Sequence, residues 1–115
     1  FVFLGIHQQN RGNHREAVAA LSQAVTLEPL DGSLRSGLAI SLLALGRRAE
    51  AVPHLEVALR FRPGDEALGC NLASSLMATG RPEEARTQAL LVQARHPDSA
   101  CAQDLLSRFR PAPPR

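Results

Sequence analysis

The sequence has no tryptophan, tyrosine or lysine, and it has only four phenylalanines and two cysteines in 115 residues. A hydrophobic core must therefore consist mainly of leucine, alanine and valine, which suit close contact between helices. The longest apolar run, residues 1–6, is much too short for membrane insertion, and no signal peptide is evident. The formal net charge of +2 and the scarcity of aromatics give no indication of nucleic acid or an acidic membrane as a partner.

The sequence also lacks recognisable metal-binding and catalytic motifs. No H-x-x-x-H or C-x-x-C pair occurs, so the four histidines share no metal-ligand spacing: His7, His14, His54 and His96. The acidic pair at 83–84 stands at a predicted helix start, where negative charge complements the helix dipole. We expect no metal, no cofactor and no catalytic residue, so we do not expect an enzyme.

The two cysteines, Cys70 and Cys101, are too few for a disulfide framework. Both fall on predicted helix faces that point away from the partner helix of the same repeat, so they could approach each other between neighbouring repeats. Their separation does not follow from the sequence. Free thiols are the expectation for a cytoplasmic protein, and a cytoplasmic location is expected here.

Four series of residues recur at an interval of 34, and this periodicity dominates the sequence. Such an interval is the signature of a repeat architecture. Four independent series in one register predict three repeats and the start of a fourth. The series are Pro29, Pro63 and Pro97; Gly12, Gly46 and Gly80; Ala17, Ala51 and Ala85; and Leu4, Leu38, Leu72 and Leu106.

The first half of each repeat has the spacing of an amphipathic helix, and Gly46 supplies the left-handed residue that ends it in the second repeat. The apolar positions of that helix are Leu34, Leu38, Leu42 and Leu45.

A second helix follows in each repeat. The small Ala51 and Ala58 predict close contact with the first helix, Pro63 ends the second helix, and Asp65 offers a cap to the next one. Pro53 is expected within the first turn or so of this helix; the alternative is a proline in the middle of the helix, which would kink it. In the first repeat, the apolar positions of this second helix are Ala17, Leu21, Ala24 and Leu27. Helices are predicted at 1–11, 14–28, 32–45, 48–61, 66–79, 82–95 and 99–110.

This unit resembles the tetratricopeptide repeat, in which a large aromatic, a leucine and a small residue precede an alanine, a second aromatic and a terminal proline. Arg35, Gly69 and Ala89 stand where that pattern has aromatics, which predicts looser contacts there. The residues at the pattern positions are Phe1, Leu4, Gly5, Ala17, Leu21 and Pro29; Arg35, Leu38, Ala39, Leu42, Ala51, Leu55 and Pro63; and Gly69, Leu72, Ala73, Leu76, Ala85, Ala89 and Pro97.

The resemblance implies an all-α fold, a right-handed α-solenoid of three tetratricopeptide helix–turn–helix repeats plus a C-terminal capping helix. The domain is expected to cover residues 1–110, with repeats at about 1–31, 32–65 and 66–99, the capping helix at 99–110, and a disordered tail at 111–115.

The fourth unit contributes only the capping helix, which would cover the apolar side of the last repeat. Asp104 and Arg108 form an i, i+4 pair on its polar side. Its apolar stripe is Ala102, Leu105, Leu106 and Phe109. The proline-rich tail after it could be a polyproline ligand, although a disordered end is the simpler interpretation.

In the family that this repeat resembles, a second stripe of each first helix lines a concave groove that binds peptides. The partner-binding residues implied by this resemblance are Phe3, Ile6, Ile40, Leu43, Asn71, Ser74, Met77 and Arg108. Members that clamp the acidic C-termini of chaperones carry lysine, asparagine and arginine here. Val2, Ile6 and Gly37 stand at those places, which argues against a carboxylate clamp.

The predicted function is therefore a non-catalytic scaffold that binds a peptide or partner protein in the groove. One alternative is an accessory repeat segment of a larger enzyme, such as a glycosyl- or sulfo-transferase. Another is self-association, because exposed apolar residues on these faces could cover a neighbouring segment or a second copy.

Overall fold

A computed structural model describes residues 13–109, which form six α-helices joined by short turns and no β-strand. The helices are α1 (His14–Leu27), α2 (Gly32–Ala44), α3 (Arg48–Phe61), α4 (Glu66–Ala78), α5 (Pro82–Arg95) and α6 (Ala100–Ser107). Each starts within one residue of its predicted start, whereas α6 ends at Ser107 instead of residue 110. The predicted helix at 1–11 and the tail at 111–115 lie outside the described residues.

The chain divides into two compact units, residues 1–63 and 64–115. Helices α1, α2 and α3 belong to the first unit, and α4, α5 and α6 belong to the second. Within each unit, successive helices lie against each other. None of the described helices is long and apolar enough to span a membrane.

Helices α2, α4 and α6 begin with the same type of cap at an interval of 34 residues. Asp31 accepts a hydrogen bond from the backbone N–H of Leu34 at 3.1 Å, and Asp65 accepts one from Leu68 at 3.0 Å. Ser99 does the same for α6 through its hydroxyl oxygen. The prediction that Asp65 caps a helix is confirmed. These caps satisfy N–H groups that have no partner within the helix.

Helices α2 and α4 end in the same way. Gly46 and Gly80 have φ angles of 76° and 78°, a left-handed conformation that glycine adopts without a Cβ clash. The N–H of Arg47 then donates to the carbonyl of Leu42 at 2.8 Å, closing the Schellman type of helix end. The predicted role of Gly46 is confirmed.

Helices α3 and α5 start without a side-chain cap. Arg47 forms an ion pair with Glu50 at 2.6 Å, and Arg81 pairs with Glu84 at the equivalent place. The acidic side chains favour these helix starts because of the helix dipole. The first-turn position expected for Pro53 is wrong: it is the sixth residue of α3, and the helix still continues to Phe61.

The cores of both units consist of leucine, alanine and valine. In the first unit the buried side chains are Ala17, Leu21, Ala24, Val25, Leu34, Leu38, Ala39, Leu42, Ala51, Val52, Leu55 and Ala58. In the second they are Leu68, Leu72, Ala73, Leu76, Ala85, Ala89, Val92, Ala102 and Leu105. Alanines at these helix contacts let the backbones approach closely.

One residue of the predicted core is exposed. Leu27 has 74% of its surface accessible because it is the last residue of α1, beyond the contact between α1 and α2. Leu45 is half-buried, since it lies directly after the last residue of α2.

The prediction of looser contacts at the three positions that lack the family's aromatic residues is wrong. A Cβ atom on Gly69 would lie 2.5 Å from Cγ2 of Val92, so that valine fills the space. Ala89 is 1% exposed. Arg35 fills its own site: its Nε donates to the carbonyl of Pro29 at 2.9 Å, and its Nη1 lies 3.0 Å from Nδ1 of His54.

Candidate functional site

Among the described residues, the first helices of the repeats are α2, α4 and α6, and each has a side that the core does not use, which we call its open face. In α2 this side carries Ile40, which is 46% exposed, and Leu43, which is half-buried. The two residues are one turn apart and therefore neighbours on the helix surface. Ser36 precedes Ile40 by four residues and is half-buried on the same side. The open face of α2 is thus apolar at its centre.

The open face of α4 is more polar. Ser74 is exposed, and Cys70, Asn71 and Met77 are half-buried. Cys70, Ser74 and Met77 have the i, i+4, i+7 spacing that places side chains on one side of a helix.

The open face of α6 consists of Cys101, Asp104 and Arg108, with i, i+3, i+7 spacing. Asp104 and Arg108 are exposed, and Nη2 of Arg108 donates to Oδ2 of Asp104 at 3.3 Å. The predicted i, i+4 pair is therefore present. Arg108 immediately follows α6, and its side chain remains largely exposed despite this bond.

A disulfide bond joins the open faces of α4 and α6. It links Cys70 to Cys101, whose Cα atoms are 6.1 Å apart, a normal separation for a disulfide. The expectation of free thiols is wrong. The buried Ser99 hydroxyl oxygen lies 3.9 Å from Sγ of Cys70 and 3.5 Å from Sγ of Cys101. The same hydroxyl caps α6, so the disulfide is fixed beside the start of that helix.

The repeat register contained a signal for this bond. Cys101 follows Cys70 by 31 residues, three fewer than one repeat. In register, Cys101 is therefore equivalent to Ala67, which precedes Cys70 by one turn of α4. The two cysteines accordingly lie on neighbouring first helices, on the same side and within one turn of each other.

The predicted partner-binding residues fall into three groups. Ile40 and Leu43 lie together on α2 in the first unit. Asn71, Ser74, Met77 and Arg108 lie in the second unit, on the two helices that the disulfide joins. Phe3 and Ile6 lie outside the described residues. Partner binding by any of these residues stays a prediction.

Acid, base and hydroxyl groups meet at one shallow polar depression of the second unit, with a volume of about 320 Å³. It is lined by Glu66, Arg95, His96, Pro97, Asp98 and Ser99. Nε2 of His96 donates a hydrogen bond to the carbonyl of Gly64 at 2.6 Å, and the Ser99 hydroxyl oxygen accepts one from the N–H of Ala102. Both side chains therefore contact backbone groups of the second unit.

The pKa of one histidine of the first unit is shifted by its surroundings. Burial and the positive charge of Arg35 lower the pKa of His54 below its usual value, and Glu50 opposes this shift. In the part of the chain between residues 13 and 109, no group of three or more histidine, cysteine or acidic residues could hold a metal ion.

Two profiles of the tetratricopeptide repeat family match the sequence, one over residues 4–66 and the other over residues 42–109. No curated protein sequence matches the chain.

Several solved structures have the same fold. A mutant of MamA has a TM-score of 0.88 at 18% identity, over 93% of this chain and 62% of the MamA chain, so this chain spans less than two thirds of that protein. The chaperone SycD of Yersinia enterocolitica, in complex with a peptide of the translocator YopD, has a TM-score of 0.74 at 19% identity, over 93% and 82% of the two chains. The first tetratricopeptide domain of human RPAP3 has a TM-score of 0.75 at 18% identity, over 94% and 85%. These likenesses confirm the predicted all-α solenoid fold.

Proposed function

Because the chain belongs to the tetratricopeptide repeat family, we propose that it is a non-catalytic scaffold that binds a peptide or partner protein on the open faces of its first helices. The observation that carries this proposal is the exposure of Ile40 beside Leu43 on a helix face that the core does not need. The peptide bound by SycD, a protein of the same fold, supports it by analogy only.

The chemistry of the faces indicates what kind of segment would bind. Ile40 and Leu43 offer an apolar contact, and burial of an exposed aliphatic side chain contributes up to about 1.5–3 kcal/mol. Asn71 and Ser74 offer hydrogen bonds, and Arg108 offers N–H donors and a positive charge. A segment with apolar residues would suit the open face of the first unit, and a segment with an acidic or carbonyl acceptor would suit the open faces of the second unit.

The experiment begins with a peptide ligand selected from a displayed random library on the purified chain. Its Kd is then measured by calorimetry for the wild type and for Ile40→Ser and Leu43→Ser. We expect each substitution to weaken binding several-fold, since apolar area at the contact is lost. Binding that is unaffected by both substitutions would contradict the proposal.

Leu90→Ser is the matched control. Leu90 is 46% exposed, the same fraction as Ile40, but it lies on α5, a second helix of a repeat. This substitution removes a comparable apolar surface from a face outside the proposed site, so the Kd should stay unchanged. Sedimentation of the chain without peptide completes the test by measuring whether it forms a dimer. If Ile40→Ser abolishes a dimer and leaves peptide binding unchanged, the open face of α2 is a self-association surface.

A further inference from the structure

We propose that Cys70 and Cys101 form a thiol–disulfide exchange site, at which small thiols and disulfides from solvent control whether α6 is held against α4. Both cysteines are half-buried, so neither residue is sealed within the core. Their Cα separation of 6.1 Å allows the bond to form without movement of either helix. The bond lies on the open faces, away from the leucines that hold the second unit together.

The short length of α6 makes the bond important. This helix has eight residues and buries only Ala102 and Leu105 completely, while Leu106 is half-buried. An isolated helix of this length is unstable in water, so its order depends on what it contacts. It lies mainly against α5, and the disulfide is its covalent link to α4. Reduction would therefore loosen α6 more than any other described helix of the second unit.

The two sulfur atoms are not equivalent. Cys101 is the second residue of α6, where the helix dipole favours a thiolate, whereas Cys70 is the fifth residue of α4. A thiol that is more stable as a thiolate is the better leaving group in exchange. Cys101 is therefore the sulfur that leaves first, and Cys70 is the sulfur that is attacked.

Reduction then proceeds in two steps with a low-molecular-weight thiol such as glutathione. Its thiolate attacks Sγ of Cys70, which forms a mixed disulfide and releases Cys101 as a thiolate. A second glutathione thiolate attacks the glutathione sulfur of that mixed disulfide, which releases Cys70 and forms glutathione disulfide. Two external thiols are oxidised, the protein disulfide accepts two electrons, and the two cysteine sulfurs take up the two protons.

The consequence for binding rests on the proposed function. The disulfide joins α6, which carries Asp104 and is followed directly by Arg108, to α4, which carries Ser74 and Met77. A ligand that contacts both helices of the second unit would therefore meet them together only in the oxidised chain. Reduction would separate the two faces and leave the open face of α2 unaffected. The site would thus couple the redox state of the surroundings to affinity.

The test compares the oxidised and reduced 115-residue chain by hydrogen exchange, in glutathione buffers with different ratios of thiol to disulfide and with trapping of free thiols. We expect amides of α6 to exchange at least about tenfold faster in the reduced chain, and amides of α2 and α3 to be unchanged. In the reduced chain, limited alkylation should modify Cys101 before Cys70. Equal exchange in both states, or a pair that never oxidises in these buffers, would overturn the proposal; preferential alkylation of Cys70 would overturn the order of attack.

Two controls separate this inference from the proposed function. Reductant should have no effect on the double variant Cys70→Ser, Cys101→Ser, whose α6 should exchange as fast as in the reduced wild type. The Kd of the selected peptide is measured in both states of the wild type. Faster exchange of α6 with an unchanged Kd would support the redox site while contradicting ligand contact with the second unit. If hydrogen exchange of α6 is the same in the oxidised and reduced chain, the proposed redox site is overturned, whatever the Kd of the peptide.

Discussion

Gly69 of α4 lies directly against Val92 of α5, so closely that a Cβ atom on Gly69 would be 2.5 Å from Cγ2 of the valine. Alanine normally favours a helix interior over glycine by about 1 kcal/mol. Here the steric clash opposes that gain, and overfilling a core typically costs about 1–3 kcal/mol.

Gly69→Ala is therefore expected to lower the free energy of unfolding, by up to about 2 kcal/mol after the helix preference is subtracted. Denaturant unfolding measures the change. The double variant Gly69→Ala, Val92→Ala removes the atom that clashes, so its destabilisation should be smaller than the sum of the single effects. Additive effects would show that the contact does not limit the approach of the two helices.

The bond between Arg35 and His54 predicts a pH dependence. Burial and the Arg35 charge lower the pKa of His54 in the folded chain below the ordinary value of 6.5. The unfolded chain therefore binds this proton more readily, and the stabilising effect is lost as pH falls through the folded-state pKa. The melting temperature should decrease between about pH 7 and about pH 5.

His54→Asn is the control for this effect. An asparagine oxygen can accept from Arg35 in place of Nδ1, but it does not titrate. The variant should show a weaker acid destabilisation than the wild type in the same interval. A steeper fall in the variant than in the wild type would contradict the prediction.

Leu38 and Leu42 test the assignment of helix faces. Both are at most 3% exposed, so Leu38→Ala or Leu42→Ala should lower the free energy of unfolding by about 2–5 kcal/mol. Ile40→Ser changes a side chain that is 46% exposed and should have a much smaller effect. Thermal melting compares the three variants, and an Ile40→Ser effect as severe as that of Leu38→Ala would show that the faces are wrongly assigned.

Deletion of residues 100–115 tests whether α6 is a cap. The truncation exposes the side of α5 that Ala102 and Leu105 cover, so we expect a lower melting temperature and aggregation on sizing. It also removes Cys101, and a disulfide of this loop length contributes about 2–4 kcal/mol. The truncated chain should therefore carry Cys70→Ser to prevent intermolecular disulfides. A clean monomer with unchanged melting would exclude a capping role.

The helix bounds were predictable because the residues that start and end helices recur at the interval of the repeat. Asp31, Asp65 and Ser99 start helices, and Gly46 and Gly80 end them, each through a local hydrogen bond that depends on a few neighbouring residues. Local chemistry of this kind is readable from one sequence.

Interactions between helices were less predictable. The register placed Cys70 and Cys101 on adjacent helices, but a disulfide requires a separation that only coordinates give. At Gly69 and Arg35, the loss of an aromatic suggested empty space, whereas neighbouring side chains fill it. The faces of Ile40 and Leu43 followed from helical periodicity, but periodicity does not identify a ligand.

The matching helix ends at Gly46 and Gly80 have an evolutionary consequence. Because the two left-handed turns are equivalent and 34 residues apart, unequal recombination between them would delete or duplicate one whole repeat. Each helix of the product would still possess its own start and its own end. The chain could therefore gain or lose helix surface in steps of one repeat, without passing through an intermediate whose helices lack proper termini.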